Sequence, residues 1–475
     1  MSSFELHPER LATTDEKGKR VYLFPADVRG FFRTWRSRLQ FVLIFFFLAL
    51  PWLRIDGRQA LLLDISRREF EFFGLSLRAH NAPLLVFVFA IAGFGLFFLT
   101  ALWGRVWCGW ACPQTVFIDG VYRRIERWIE GPALERKRLA QAPWTLKKLA
   151  KRSLKWMAFT LTSLIITHSF LAYFVGTDRL AEMISSSPRE NWGSFLFILV
   201  STAVILFDFA WFREQFCIIA CPYGRFQSIL MDDHSTIVAF DSKRGEPRAT
   251  PQAKALAKTH NSKLGDCVNC YRCVQVCPVG IDIRRGTQME CIACTACIDA
   301  CDEVMTKTKK PTGLIRYDSA RGLAGKKPNH LRARPLVYLA VVVISAGSLS
   351  YALSVMKPVD ATVLRAKDAP YELVGDTTVI NHFKLELSNQ SNEVHALTFE
   401  ADRSVVEAGL QLITPHRPLV LEKGKVTRAD LFVRFPKSLL KNGGLKIALA
   451  IEDSSPTQKK KETLKKELTL VGPFN

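Results

Sequence analysis

A multi-pass α-helical membrane protein, with a cysteine-rich module between its hydrophobic spans and an all-β domain at its end, is the fold class this sequence predicts. Three observations predict it. Apolar windows of roughly 20 residues recur along the 475-residue chain. All 12 cysteines precede the last of these windows. The residues after it abandon continuous hydrophobicity for strict alternation.

The spans come first. A hydrocarbon core of about 30 Å takes about 20 apolar residues to cross. Windows of that kind run from Pro83 to Trp103, Trp156 to Val175, Trp192 to Phe212 and Pro335 to Val355. Leu39 to Leu53 is shorter and contains Pro51, and it is counted as a fifth span. The charged tail 1–38 does not have the form of a cleaved signal peptide. The expected organisation is a cytoplasmic tail at 1–38, a four-span membrane domain at 39–213 with a basic cytoplasmic loop at 104–155, a cytoplasmic linker and metal module at 214–334, a fifth transmembrane helix at 335–355, and a periplasmic domain at 356–475.

A formal charge of +21 raises the question of nucleic acid, and the placement of that charge answers it. Lys and Arg number 8 before Leu39, 12 from Gly104 to Lys155 and 20 from Arg213 to Arg334, against 5 and 2 in the intervening loops. That alternation is the positive-inside pattern, so the surplus reads as solvated and topology-setting, with no nucleic-acid partner. It places the N-terminus, the second connection and the cysteine-rich segment in the cytoplasm, and the stretch after Met356 outside. The basic, partly amphipathic run RRIERWIEGPALERKRLAQAPWTLKKLAKR predicts helices lying on anionic membrane lipid.

Beyond Met356, runs such as HFKLELSNQ, HALTFEA, ADLFVRFP and LKIALAIED alternate apolar and polar residues between turn signals. About seven short strands in that length predict an immunoglobulin-like β-sandwich. Its histidines His382, His395 and His416 are scattered and read as surface or packing residues.

The cysteine module carries the chemistry. CVNCYRCVQVCP places Cys267, Cys270, Cys273 and Cys277 in the C-x2-C-x2-C-x3-C-P run of bacterial ferredoxins, and CIACTACIDAC repeats it with Cys291, Cys294, Cys297 and Cys301. Spacing by three wraps one loop around an iron-sulfur cube, and in two-cluster ferredoxins the fourth cysteine of each run crosses to the other cluster. The expected [4Fe-4S] sets are therefore Cys267, Cys270, Cys273 and Cys301, and Cys291, Cys294, Cys297 and Cys277. Structural zinc is the competing use of four thiolates, but zinc ligands come as separated pairs. Asp302 stands where the first run has Pro278.

A weak internal repeat marks the membrane domain. RVWCGWACPQTVF and REQFCIIACPYGRF each deliver Cys-x-x-x-Cys-Pro at the end of a span. On a helix Cys108 and Cys112, or Cys217 and Cys221, would share a face one turn apart, giving soft sulfurs for Cu(I) or dithiol-disulfide cycling. Buried apolar packing is the alternative. Asp208 and His168 are intramembrane candidates for a proton or metal role. Trp103, Trp107, Trp110 and Trp211 read as interfacial belt residues.

In this order, RVWCGWACPQTVF, REQFCIIACPYGRFQS, CVNCYRCVQVCPVGIDIR, ECIACTACIDACDEVM and the β-rich end resemble the cytochrome c oxidase accessory proteins of the CcoG, FixG or RdxA family, which are membrane polyferredoxins. The resemblance implies two [4Fe-4S] clusters, a periplasmic immunoglobulin-like domain, and reduction of Cu(II) to Cu(I) during maturation of cbb3-type cytochrome c oxidase. It implies as partners a cytosolic electron donor, a copper-exporting ATPase, copper chaperones and the oxidase assembly machinery, and it leaves room for a homodimer. It makes Cys108, Cys112, Cys217 and Cys221 the candidates for copper binding or redox relay. A quinol-linked electron-transfer subunit and a non-catalytic assembly factor are the other readings.

Overall fold

The computed structural model describes residues 13–473 except 15–16, 18, 56, 68, 78–82, 262, 356–358, 367–368, 390–392, 424 and 454–462. The start of the tail expected at 1–38 and the first residues of the domain expected at 356–475 thus lie outside the described residues. The chain forms two compact units, one from Met1–Leu53, Leu61–Asp64 and Pro83–Ser350, the other from Arg54–Ala60, Ile65–Ala82 and Tyr351–Asn475.

Among the described residues four helices are long and apolar enough to cross a membrane: Leu84–Trp103, Leu146–Val175, Trp192–Phe212 and Ala333–Ser354. The second begins ten residues before the expected span at Trp156, because the Thr145 hydroxyl accepts from Lys148 N and caps the basic turns ahead of the apolar ones. The expected short span at Leu39–Leu53 is the end of a helix Phe31–Ala49, closed by a 3-10 turn at Leu50–Trp52. Arg33, Arg36 and Arg38 in its first turns keep that helix out of the set of four. Between the membrane helices Phe117 stacks on Phe209 with centroids 5.7 Å apart, and the buried Tyr122 hydroxyl bonds Ser163 Oγ at 2.7 Å. The pairing matters because a lipid-embedded bundle has no water to satisfy a stray hydroxyl.

At the polar ends of these helices part of the basic surplus is buried rather than solvated. The helix Arg123–Glu130 turns Glu126 and Glu130 inward, where Arg213 Nη2 meets Glu126 at 2.6 Å, Arg136 Nη1 meets it at 3.1 Å and Lys155 Nζ meets Glu130 at 2.8 Å. Arg36 and Arg123 close on Asp119, each at 2.5 Å. An unpaired charge here would cost several kcal/mol, so the arginines neutralise carboxylates that the alternation of charge along the chain had not revealed.

The metal module builds on a two-stranded antiparallel sheet, Ile237–Phe240 with Ile315–Asp318. Its core joins Val238, Phe240, Ile298, Met305, Leu314 and Ile315 to Cys267 and Cys273. The two cysteine runs lead into helices of different length. The helix Arg272–Gln275 is a single turn before Pro278, whereas Ala296–Lys307 continues for 12 residues. Asp302 explains the difference: it supplies the N–H that proline lacks, and its Oδ1 accepts from Gly313 N at 2.8 Å to fix the returning loop.

The second unit contains the β-sandwich. One sheet orders the strands Gln411–Ile413, Val426–Pro436, Thr378–Asn389 and Val359–Arg365, with Glu372–Val374 also on Thr378–Asn389. The other orders Leu419–Leu421, His395–Ala401, Gly444–Asp453 and Thr463–Val471. That makes nine described strands where the sequence pattern predicts about seven. Alternate residues Val379, Phe383, Leu385, Leu431, Val433 and Phe435 fill the core between the sheets. His395 is fully buried, its Nδ1 2.5 Å from Asp453 Oδ2, and His382 stacks on Phe432 beside Asp430.

Candidate metal centre

Each cysteine run curls at two non-glycine residues held in the left-handed region. They are Asn269 (φ 56°) and Tyr271 (φ 57°) in the first run, and Ala293 (φ 52°) and Thr295 (φ 63°) in the second. The positions correspond one for one, flanking the middle cysteine of each C-x2-C-x2-C. An L-residue there costs about 1–2 kcal/mol, so four in two matched loops mark strain that something must compensate.

The first loop is compensated from within the module. Arg284 is buried and forks onto Asp282 (2.8 and 2.7 Å), donates to Asn269 Oδ1 at 2.7 Å and lies over the Tyr271 ring at 4.2 Å. One guanidinium thus holds both left-handed residues. The second loop is held by the membrane region instead. Arg105 donates to the carbonyls of Met289 and Cys291, and a Cβ at Gly109 would fall 2.3 Å from the Ala293 carbonyl oxygen. Asp299, on the helix after the second loop, accepts from Phe32 N (3.2 Å) and Arg33 N (2.7 Å), capping the helix Phe31–Ala49 from across the chain.

The loops surround two neighbouring spaces. Cys267, Cys270, Cys273 and Cys301 line one of them. Cys277, Cys291, Cys294 and Cys297 line the other, with Cys273 in the wall between them. The fourth cysteine of each run therefore lies with the first three of the other. Among the described residues no three His, Cys, Asp or Glu side chains stand close enough for a single metal ion, so the sulfurs ring a volume rather than a point. That donor arrangement fits a four-thiolate iron-sulfur cube. Burial pushes the thiols of Cys273 and Cys291 up to about 11 and that of Cys301 to about 12, so their thiolates form together with metal uptake.

The Cys-x-x-x-Cys-Pro repeat is a repeat of backbone as well as of sequence. Gly104 (φ 53°, ψ −122°) and Arg213 (φ 51°, ψ −128°) end their spans in nearly one conformation. Four residues later come Cys108 and Cys217. Then Cys112 N bonds Trp107 O at 2.9 Å and Cys221 N bonds Phe216 O at 2.8 Å, both reaching five residues back. Each second cysteine is extended and starts a new helix with Pro113 or Pro222 at its first position. The expectation of two cysteines within one helical turn is thereby corrected: proline has no N–H to continue the first helix, and the second cysteine is extended and stands outside it.

The two repeats meet. Gln227, beyond the second, donates to Cys108 Sγ at 3.0 Å, and the four thiols are near enough that Cys112 and Cys221 act on Cys108, and all three act on Cys217. Burial, against the Gln227 hydrogen bond, pushes Cys108 up to about 11, and burial raises Cys217 further. Cys217 also packs on the Val279, Ile281 and Ile292 core that Cys277, Cys291 and Cys294 flank. Other candidates fall elsewhere: Asp208 accepts from Gln114 Nε2 at 3.0 Å, and His168 bonds the Leu164 carbonyl of its own helix. Trp110, expected in the interfacial belt, donates to the Tyr317 hydroxyl at 3.0 Å in the metal module. Arg105, Arg284 and Gln227 carry no sequence signal beyond their place beside the cysteines.

Apolar membrane-length helices, two ferredoxin cysteine runs and an immunoglobulin-like sandwich define a membrane iron-sulfur electron-transfer protein. Residues 212–320 match the family described as 4Fe-4S dicluster domain, 84–132 the 4Fe-4S binding domain, and 349–473 the IG-like fold at the C-terminal of FixG. The chain is 36% identical to Protein RdxA of Cereibacter sphaeroides over 82% of this chain and 84% of that one. It is 31% identical to Nitrogen fixation protein FixG of Rhizobium meliloti over 92% and 91%. It is 25% identical to Ferredoxin-type protein NapH of Haemophilus influenzae over 58% and 88%. The chain belongs to the FixG/RdxA family of membrane polyferredoxins.

Proposed function

We propose that this protein reduces Cu(II) to Cu(I) at the cysteines Cys108, Cys112, Cys217 and Cys221, and so prepares copper for assembly of a cbb3-type oxidase in the bacterial inner membrane, with the metal module cytoplasmic and the β-sandwich periplasmic. The ligand sets are Cys267, Cys270, Cys273 and Cys301 for one [4Fe-4S] cluster and Cys277, Cys291, Cys294 and Cys297 for the other, and bound clusters supply one-electron storage. The observation that carries the reading is the packing of Cys217 on the same small core as Cys277, Cys291 and Cys294. Thiolates prefer Cu(I) to Cu(II), so the site favours the product of a one-electron reduction. Arg105 and Gly109 seat the membrane cysteines on the second loop, and Gln227 orients Cys108. The electron comes from a cytosolic donor, and a copper-exporting ATPase and copper chaperones take the Cu(I).

The test uses anaerobic, reduced full-length protein mixed with Cu(II) and a Cu(I)-specific chelator. One Cu(I) should form per electron stored, and replacing Cys217 and Cys221 together by Ser should slow the reaction at least tenfold without loss of module iron. Equal rates in the two proteins would remove the membrane cysteines from the reaction. A second reading rests on the match of 84–132, which contains Cys108 and Cys112, to a 4Fe-4S binding domain. In it the four membrane cysteines hold a third cluster, raising iron from about eight to about twelve per chain.

A further inference from the structure

We propose that the arginine-lined cavity beside Cys294 binds a phosphate-bearing anion. The cavity, of about 400 Å³, is walled by Arg33 and Arg36 of the first helix, by Arg123, Arg124, Arg127 and Arg136, and by the second cysteine loop at Cys294. Against these six guanidiniums stand two carboxylates, Asp27 and Asp119. Burial alone would raise the Asp119 carboxyl, but Arg36, Arg123 and Arg33 together outweigh burial and hold it ionised. Arg123 also pairs with Glu214 at 2.5 Å and Arg136 with Glu126 at 3.1 Å, so the six guanidiniums meet four carboxylates and the wall keeps two positive charges beyond its own neutralisation.

Two of the arginines have donors left over. The Nε atoms of Arg123 and Arg136 are buried with no hydrogen-bond partner among the described residues, and Arg136 is only 5% exposed. An unmet guanidinium donor in a buried site costs about 1–3 kcal/mol. Its planar fork matches the oxygens of phosphate, which accepts several such donors at once. The volume leaves room for the phosphate to carry a further group. The ligand would bridge the start of the first helix, the Arg123–Glu130 helix and the cysteine loop.

The headgroup of an anionic phospholipid and a soluble phosphorylated metabolite share this chemistry. Both are tested on full-length protein, by calorimetric titration with inorganic phosphate and ADP in neutral detergent, and by native mass spectrometry after exchange into nanodiscs containing phosphatidylglycerol. Wild type should bind at least one of these probes, and Arg33→Gln with Arg124→Gln should weaken it about tenfold, the scale of one lost charge-assisted hydrogen bond. Iron content is the check on folding, and Arg124→Gln alone, at a half-buried position, serves if the double variant loses iron. Retention of phosphatidylglycerol alone assigns the lipid source, and calorimetric binding alone assigns the soluble one. Wild-type protein that binds none of the three probes, or variants that bind as tightly as wild type, would overturn the proposal. No redox turnover enters the measurement, so its outcome is independent of the copper reading.

Discussion

Gly109 lies directly on Ala293, leaving no room for a Cβ: one placed there would stand 2.3 Å from the Ala293 carbonyl oxygen. A residue of the Cys108–Cys112 segment is thus seated on one of the Cys291–Cys294 loop, at a point where that loop is already left-handed (φ 52°). Gly109→Ala should displace one loop from the other, at a cost of about 1–3 kcal/mol. Denaturant melts should report that loss, and Cu(I) production should slow while iron content holds. An alanine variant with wild-type stability and rate would show that the contact is dispensable.

Arg284 is the internal brace of the first loop. Arg284→Met leaves Asp282 buried without its fork partner and releases Asn269 and Tyr271 from their left-handed conformations. Breaking a buried pair of this kind costs about 3–5 kcal/mol. Iron should fall by about half, with the first cluster's electron resonance signal lost and the second retained. Loss of both signals together would mean the brace serves the whole module.

Acid should loosen the polar ends of the spans. Burial alone would raise the Glu126 carboxyl, but Arg213, Lys155 and Arg136 outweigh it and bring it down to about 2. A carboxyl lowered on folding, from about 4.3 in the unfolded chain, stabilises fully above that value and ceases to do so as pH falls through its folded pKa. Melting temperature should therefore drop between pH 5 and pH 2, and Glu126→Gln should flatten that limb while lowering stability at pH 7. A variant whose acid limb matches wild type would place the titration elsewhere.

The β-sandwich has its own core. Leu431 is fully buried opposite Phe383, and Leu431→Ala should cost about 2–5 kcal/mol. The loss should appear in the melting of the second unit, with iron content unchanged. A fall in iron would tie the two units together energetically.

The two cysteine runs stand out in the sequence because ligand spacing is local chemistry: two residues between successive cysteines dictate one loop, whatever surrounds it. The repeat was legible too, but its geometry was not. Pro113 and Pro222 are the signal that a new helix starts after each second cysteine, and reading Cys-x-x-x-Cys as one helical turn passes over it. Hydropathy located the apolar centre of Leu146–Val175 but not its basic first turns, since Lys155 is stabilised by Glu130, a partner distant in sequence. For the same reason Arg36, Arg105, Arg213 and Arg284 looked like part of a solvated surplus. Their burial depends on carboxylates and carbonyls that only the fold brings near.

The central claim is that eight cysteines in two crossed sets hold iron-sulfur clusters. Iron, acid-labile sulfide and zinc should be measured on anaerobically purified full-length protein, alongside Cys294→Ser. The account predicts about eight irons and about eight sulfides per chain in the metal module, with about four of each lost in the variant. Stoichiometric zinc without sulfide, or iron unchanged by Cys294→Ser, would contradict it.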